Sequence, residues 1–192
     1  MKRIPLEYAI LAVAVAATAA VALPSHAQGT GTGADKVARG KYLVNTSGCH
    51  DCHTPWVEGP KGPEPDMTRA LSGHPEGMVL PPAPKAEGPW IVSTAATNTA
   101  FAGPWGISFT ANLTPDPETG LGKWTQRNFS ETIRTGRHMG RGRAVLPPMP
   151  IQVYKNFTDG DLEAIFTYLQ TIPAVTNRVP EPVPAAMPVA AK

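Results

Sequence analysis

The spacing of apolar residues predicts three helices in this chain of 192 residues. The first covers 34–45, where an apolar stripe alternates with charged positions. The second covers 125–135, with Thr125 as its N-cap and Gly136 as its stop. The third covers 158–171 and has apolar residues at i, i+3, i+4 and i+7, the pattern of one buried helix face. Those apolar residues are Leu162, Ile165, Phe166 and Leu169.

The segments between these helices have weak periodicity and many turn residues. Their pattern predicts a short helix over 66–71 and two short strands at 90–92 and 107–109. The chain contains 22 Pro and 18 Gly, a composition that favours few helices joined by long ordered loops. We therefore expect a mainly α protein with long Pro/Gly-rich loops and at most a short two-stranded β element.

The beginning of the chain has the features of an export signal. Two basic residues precede an apolar run from 9 to 23, and Ser25 and Ala27 are small residues suited to a signal peptidase. The run is shorter than the roughly 18 apolar residues that a membrane span needs. We predict a cleaved signal peptide over 1–27 and a periplasmic location, with an uncleaved membrane anchor as the alternative.

The rest of the chain is expected to form one domain over 28–178 and a tail over 179–192. Residues 174–192 are mostly Ala, Pro and Val with little charge, which is typical of a disordered or surface-draped segment. The formal net charge is only +2, so charge gives no reason to expect a nucleic-acid partner.

Candidate chemistry is concentrated in Cys49-His50-Asp51-Cys52-His53. Two thiols one helical turn apart can add to the two vinyl groups of a haem, and the histidine after the second thiol can then bind the iron. The chain contains 2 Cys, both in this motif. The motif predicts one covalent haem c, attached through Cys49 and Cys52, with His53 as an axial iron ligand.

Alternative roles for these cysteines fit the pattern less well. A thioredoxin-like site requires a strand-helix-strand setting, and the surrounding pattern does not predict one. A zinc site requires further ligands at a recognisable spacing, whereas His74 and His138 are isolated. A disulfide between residues three positions apart would close almost no chain and add little stability.

The second nitrogen of the His53 imidazole needs a hydrogen-bond acceptor to fix its tautomer. In metal-bound histidines this nitrogen usually donates to a carbonyl or a carboxylate. The Gly-Pro pairs 59–60 and 62–63 lie just beyond the motif, and we expect one of their carbonyls to accept this hydrogen bond.

The second axial iron ligand decides between electron transfer and ligand binding. Met149 is the best candidate, because three surrounding prolines stiffen its loop just before the last helix. Met139 and His138 are the reserves, and a Met149 that only fills the core is the alternative. Ligation by His53 and Met149 predicts an electron carrier without catalytic residues of its own.

Two other functions are alternatives to the electron carrier. The first is a haem subunit of a larger dehydrogenase. The second is a haem enzyme or sensor with an open sixth site, peroxidase-like or gas-binding. The expected partners are redox proteins: a periplasmic dehydrogenase, a respiratory complex or an oxidase. A membrane is a partner only if the signal peptide is retained.

The order of these features resembles that of a class I monohaem cytochrome c. An N-terminal helix precedes the haem motif and its Thr54-Pro55 sequel, and the methionine in its Pro-rich loop precedes a last helix that includes 161–169. The resemblance covers about 34–178. It implies the cytochrome c fold, haem attachment through Cys49 and Cys52, iron ligation by His53 and Met149, and crossing first and last helices.

A second part of the sequence is similar to the cytochrome domains that serve periplasmic alcohol and sugar dehydrogenases. It consists of Asn112-Leu113-Thr114-Pro115-Asp116, then 119–124, then Arg134-Thr135-Gly136. The resemblance implies a role in electron transfer. The expected electron donor is a dehydrogenase or a respiratory protein, and the electrons pass to a terminal acceptor.

Arginines are clustered in the region that leads to the methionine loop. We expect either an ordinary solvated face or a docking rim for an acidic redox partner, where charges mainly raise the association rate. One arginine is alternatively a partner for a haem propionate. The arginines are Arg127, Arg134, Arg137, Arg141 and Arg143.

Overall fold

The computed structural model describes residues 32–84 and 88–185 of the chain. The predicted signal peptide, with the apolar run at 9–23, lies outside the described residues. Within them, no helix has the length and apolar character needed to cross a membrane. The α-helices of this part are α1 (Gly33–Thr46), α2 (Cys49–His53), α3 (Gln126–Thr135), α4 (Ile151–Tyr154) and α5 (Asp159–Leu169). Its strands are β1 (Trp56–Gly59), β2 (Gly62–Pro65), β3 (Ser93–Thr94), β4 (Ala100–Gly103), β5 (Gly106–Phe109) and β6 (Val183–Pro184).

The three helices predicted from apolar spacing are confirmed as α1, α3 and α5. The Thr125 side chain accepts a hydrogen bond from the Asn128 N–H at the start of α3, and Gly136 ends that helix in the left-handed conformation. Apolar side chains from these three helices and two loops form the core. Its buried members are Leu43, Val44, Leu71, Leu121, Phe129, Ile133, Leu162, Ile165, Phe166 and Leu169.

The described part contains more β structure than expected. β1 and β2 form an antiparallel hairpin in a region predicted to be a loop, since its prolines are unfavourable for strands. β3, β4, β5 and β6 form a second antiparallel sheet in that order. The predicted strand at 90–92 is wrong, because the strand in this region is Ser93–Thr94, and β4 separates it from β5.

The C-terminal segment is draped over the domain as far as it is described, one of the two alternatives for residues from 174. The Asn177 side-chain amide donates hydrogen bonds to the carbonyls of Ser72 and His74, at 2.7 and 2.8 Å. Further along, β6 pairs with β5 and adds the last strand of the larger sheet. The segment from 174 to 185 therefore binds both the 72–74 segment and the larger sheet.

Candidate haem-binding site

The two cysteines of the motif lie on α2 as free, half-buried thiols. Burial raises the pKa of the Cys49 thiol to about 11 and also raises the pKa of Cys52. Redox-active Cys-x-x-Cys pairs depend on a thiol with a lowered pKa. The environment of this pair is therefore the opposite of the one a thioredoxin-like site requires.

The imidazole of His53 is buried, with only 8% of the residue exposed. Its Nδ1 lies 2.8 Å from the carbonyl oxygen of Ala111, a distance at which Nδ1–H donates to that oxygen. Burial lowers the pKa of His53 and so favours the neutral ring. A neutral imidazole with Nδ1 engaged leaves the Nε2 lone pair as the group that can bind a metal.

The prediction that a carbonyl of a Gly-Pro pair accepts the His53 hydrogen bond is wrong. The structure gives this role to Ala111, 58 positions along the chain, instead of a carbonyl at 59–60 or 62–63. Those Gly-Pro pairs belong to the β1–β2 hairpin, whose backbone groups pair across its own two strands. No local sequence signal marks Ala111, because tertiary packing alone brings it to the histidine.

A short segment at 71–74 connects His53 to Ala111. The Gly73 N–H donates to the His53 carbonyl at 2.8 Å, and the His74 N–H donates to the Thr110 carbonyl at 3.0 Å. A Cβ atom on Gly73 would lie 2.5 Å from the Thr110 oxygen and 2.7 Å from the Ala111 oxygen. The close approach needs a glycine here, and its φ of +79° independently favours one.

Met149 is half-buried and packs against the same hydrophobic core as Cys49. Among the other methionines of the described part, Met67 is 61% exposed, and Met78 and Met139 are each 37% exposed. Met187 lies outside the described residues. Burial and position therefore support Met149 over these three methionines as a candidate ligand.

The helix that follows Met149 is fixed beside the haem motif. The hydroxyl of Tyr154 on α4 donates to the carbonyl of Ser47, just before Cys49. Burial, with smaller contributions from the Cys49 and Cys52 thiols, raises the pKa of Tyr154 to about 12. The neutral phenol can therefore hold α4 next to the thiols over the physiological pH range.

The histidines considered for a zinc site do not join the cysteines. His74 is fully buried against Phe109, and its Nδ1 lies 2.9 Å from the Thr99 hydroxyl. His138 is exposed and meets the Trp124 ring edge-on, with ring centroids 5.0 Å apart. Across residues 32–84 and 88–185, no group of three or more His, Cys, Asp or Glu is placed to hold a metal ion.

Most members of the arginine cluster are paired. Arg127 binds Glu131 at 2.6 Å, Arg134 binds Asp159 at 2.6 Å, and Arg143 lies 3.5 Å from Glu181. These carboxylates offset much of the positive charge that the sequence suggested. The cluster has less net charge to offer a docking partner than its arginines alone imply.

The donor set fits a covalently attached haem c. Two free thiols lie one turn apart, the histidine beside them is held in the tautomer that binds iron, and a thioether is packed onto the same core. The contributions of Ala111, Gly73 and Ser108 were not predicted. Ser108 donates to the Pro147 carbonyl at 2.6 Å, two residues before Met149.

The sequence of the chain is similar to parts of several known dehydrogenase subunits. No family model matches the chain. A nicotinate dehydrogenase subunit of Pseudomonas putida is 35% identical over 77 residues, 40% of this chain and 6% of that protein. The cytochrome c subunit of the quinone-dependent alcohol dehydrogenase of Gluconobacter oxydans is 26% identical over 132 residues, 69% of this chain. The chain is similar to cytochrome c subunits of dehydrogenases.

A further relative agrees with this similarity. The fructose dehydrogenase cytochrome subunit of Gluconobacter japonicus is 25% identical over 135 residues, 70% of this chain. The matched regions span 20% of the alcohol dehydrogenase subunit and 21% of the fructose dehydrogenase subunit. The predicted resemblance to cytochrome domains that serve dehydrogenases is confirmed, and it concerns one part of each longer relative.

Proposed function

We propose that this chain is an electron-transfer protein with one haem c bound covalently through Cys49 and Cys52. His53 and Met149 are its axial iron ligands. The observation that carries the proposal is the His53 imidazole, buried beside two thiols and fixed through Nδ1 by the Ala111 carbonyl. Bound haem supplies an iron centre that gains and loses one electron.

Residues of the chain would hold the haem, orient its ligands and shield it from water. The α2 turn presents both thiols on one side, while the Ala111 carbonyl sets the direction of the His53 lone pair. Met149 would hold the iron together with His53, which would exclude external ligands and limit the reaction to electron transfer. The apolar core against which Cys49 and Met149 pack would keep water away from a bound haem, and this would affect the potential of its iron.

The electron donor that the comparisons favour is a dehydrogenase. The alcohol and fructose dehydrogenase relatives are named as cytochrome subunits, so this chain is either a separate carrier or a haem subunit of such an enzyme. We place it in the periplasm on the basis of the predicted signal peptide. Purification of the exported protein under mild conditions tests the subunit role through a dehydrogenase that co-purifies with it.

Covalent attachment is tested by the intact mass of the exported, acid-denatured protein. We expect the mass of the chain plus one haem, with no porphyrin released into acidified organic solvent. A variant with both Cys49→Ser and Cys52→Ser should lose this added mass, whereas His138→Ala should keep it. A wild-type protein without the added mass would contradict the proposal.

A further inference from the structure

The loop that contains Met149 has few backbone donors with which to hold itself in place. Three of the four residues in 147–150 are prolines, and a proline has no N–H. Such a loop offers carbonyl groups, through which donors elsewhere in the chain can hold it. Groups outside the loop must therefore fix the position of Met149.

Two of the loop carbonyls are bound by the residues that follow. The Ile151 N–H donates to the Met149 carbonyl at 2.9 Å, and the Val153 and Tyr154 N–H groups donate to the Pro150 carbonyl at 2.9 and 3.0 Å. These hydrogen bonds attach the end of the loop to α4. They leave its beginning, at Pro147, to be fixed by a different part of the chain.

Pro147 is held by the side chain of Ser108 on β5. The Ser108 hydroxyl lies 2.6 Å from the Pro147 carbonyl and 3.4 Å from the Phe101 carbonyl on β4. A hydroxyl has one hydrogen to donate, and the shorter distance assigns it to Pro147. The Trp105 Nε1–H lies 3.3 Å from the same hydroxyl and donates to its oxygen, which helps to orient it.

Ser108 is itself rigidly placed. It is buried, it is paired with Phe101 in the β4–β5 ladder, and its neighbour Ile107 pairs with Val183 of β6. A buried hydroxyl on a paired strand, next to a residue that pairs with a further strand, is a fixed point compared with the loop it contacts. The larger sheet, most of which precedes residue 110, therefore contacts the methionine loop through the Ser108 side chain.

We infer that Ser108 is a positioning residue that keeps Met149 in place as the sixth iron ligand. The inference rests on the proposed function, because it requires Met149 to bind the iron. Departure of Met149 from the iron would require the loop to move, which would break the hydrogen bond from Ser108 and expose the Pro147 carbonyl to water. The hydrogen bond therefore stabilises only the loop conformation in which Met149 binds the iron. Its removal increases the fraction of protein with an accessible iron.

Imidazole binding to the oxidised holoprotein measures this fraction. An external ligand binds only where Met149 has left, so its apparent dissociation constant equals the intrinsic constant divided by the open fraction. We expect Ser108→Ala to lower the apparent dissociation constant about tenfold, which corresponds to about 1.4 kcal/mol. Ser93→Ala in β3 of the same sheet is the control and should leave the constant unchanged.

A second pair of variants removes the effect of side-chain volume. Threonine and valine have nearly the same shape and both suit a strand, but only threonine has a hydroxyl. Ser108→Val should therefore bind imidazole more tightly than Ser108→Thr, even if both bind differently from the wild type. This comparison remains decisive if Ser108→Ala does not yield folded protein.

Met149→Ala distinguishes a wrong ligand assignment from a wrong role for Ser108. If it strengthens imidazole binding while Ser108→Ala behaves like Ser93→Ala and the Thr and Val variants agree, Met149 is the ligand but Ser108 does not position it. If Met149→Ala leaves imidazole binding unchanged, the assignment of Met149 is wrong, and the role of Ser108 is overturned with it.

Discussion

The Ala111 carbonyl accepts the hydrogen bond of an imidazole 58 positions away in the chain. Gly73 lies between the two and contacts both, through its N–H to the His53 carbonyl and through close approach to the Ala111 carbonyl. The orientation of His53 therefore depends on a residue without a side chain. A side chain added at Gly73 would therefore disturb both the His53 backbone and the Ala111 carbonyl.

Gly73→Ala should destabilise the protein and disturb His53. The left-handed backbone costs about 1–2 kcal/mol for a residue with a Cβ, and overpacking against the carbonyls adds about 1–3 kcal/mol. Denaturant unfolding measures the loss. The matched control is Gly77→Ala, where a Cβ would meet nothing within 4 Å. Equal stability of the two variants would contradict this account of Gly73.

The chemistry of single residues is partly readable from the sequence. Cys49, Cys52 and His53 are recognisable because the proposed haem attachment requires them at a fixed spacing, and the prolines around Met149 mark a stiff loop. Ala111 and Ser108 have no such mark, since an alanine carbonyl and a serine hydroxyl occur everywhere. Only the tertiary fold shows which of them face the loop or the histidine.

The crossing of α1 and α5 is the central contact between elements. Gly40 on α1 is buried against α5, where an added Cβ would lie 2.6 Å from the Ala164 carbonyl carbon and 2.7 Å from Tyr168 Cβ. The ion pairs Lys36–Glu163 and Arg39–Asp161 lie at the same crossing, at 2.6 and 2.9 Å. Exposed ion pairs of this kind contribute little to stability, so the close backbone contact is the more important interaction at the crossing.

Gly40→Ala should weaken the protein although alanine favours helices. The gain in helix propensity is about 1 kcal/mol, whereas overpacking costs about 1–3 kcal/mol and exceeds this when backbone atoms must move. Thermal unfolding measures the sum. Gly33→Ala, at the open start of the same helix, is the control. A Gly40→Ala protein as stable as this control would show that the helices separate easily.

Elements with strong apolar periodicity were predictable, and irregular ones were not. α1, α3 and α5 have one buried face each, so their spacing identifies them. The β1–β2 hairpin contains prolines, which are unfavourable for strands, and follows no alternating pattern. Its sequence therefore gives no sign of the pairing between its two short strands. β6 consists of two residues, too few for any periodic signal.

At the scale of the molecule, the segment from 174 to 185 joins regions that are distant in the chain. Thr176 donates to the Asp116 carboxylate at 2.9 Å, and Asn177 bonds the 72–74 segment. Asp116 also accepts hydrogen bonds from the Thr119 hydroxyl and backbone N–H, both at 2.7 Å. One carboxylate thus joins the turn after 112 to the C-terminal segment.

The Asp116 carboxylate should make the free energy of unfolding decrease as the pH falls into the acid range. Hydrogen bonds from Thr119 and Thr176 lower the pKa of Asp116 to about 2, whereas in the unfolded chain it is about 3.9. Its stabilising contribution is therefore complete above about pH 4 and is lost as pH falls towards about 2. Urea unfolding at pH 5, 4 and 3 should show the wild type approaching Asp116→Asn in stability.

A substitution that changes no ionisable group provides the control for this prediction. Ser93→Ala in β3 should keep a constant difference from the wild type over the same pH range, because neither side chain ionises. A difference between wild type and Asp116→Asn that does not change with pH would mean that Asp116 contributes through geometry alone, independently of its charge.

The proposal as a whole depends on an iron whose two axial positions are both occupied by this chain. Addition of carbon monoxide to the reduced holoprotein tests this most directly, through its visible absorption spectrum. We predict that the wild-type spectrum does not change, while Met149→Ala binds carbon monoxide promptly. A wild-type protein that binds carbon monoxide at once would contradict ligation by Met149 and favour a haem enzyme or a gas sensor.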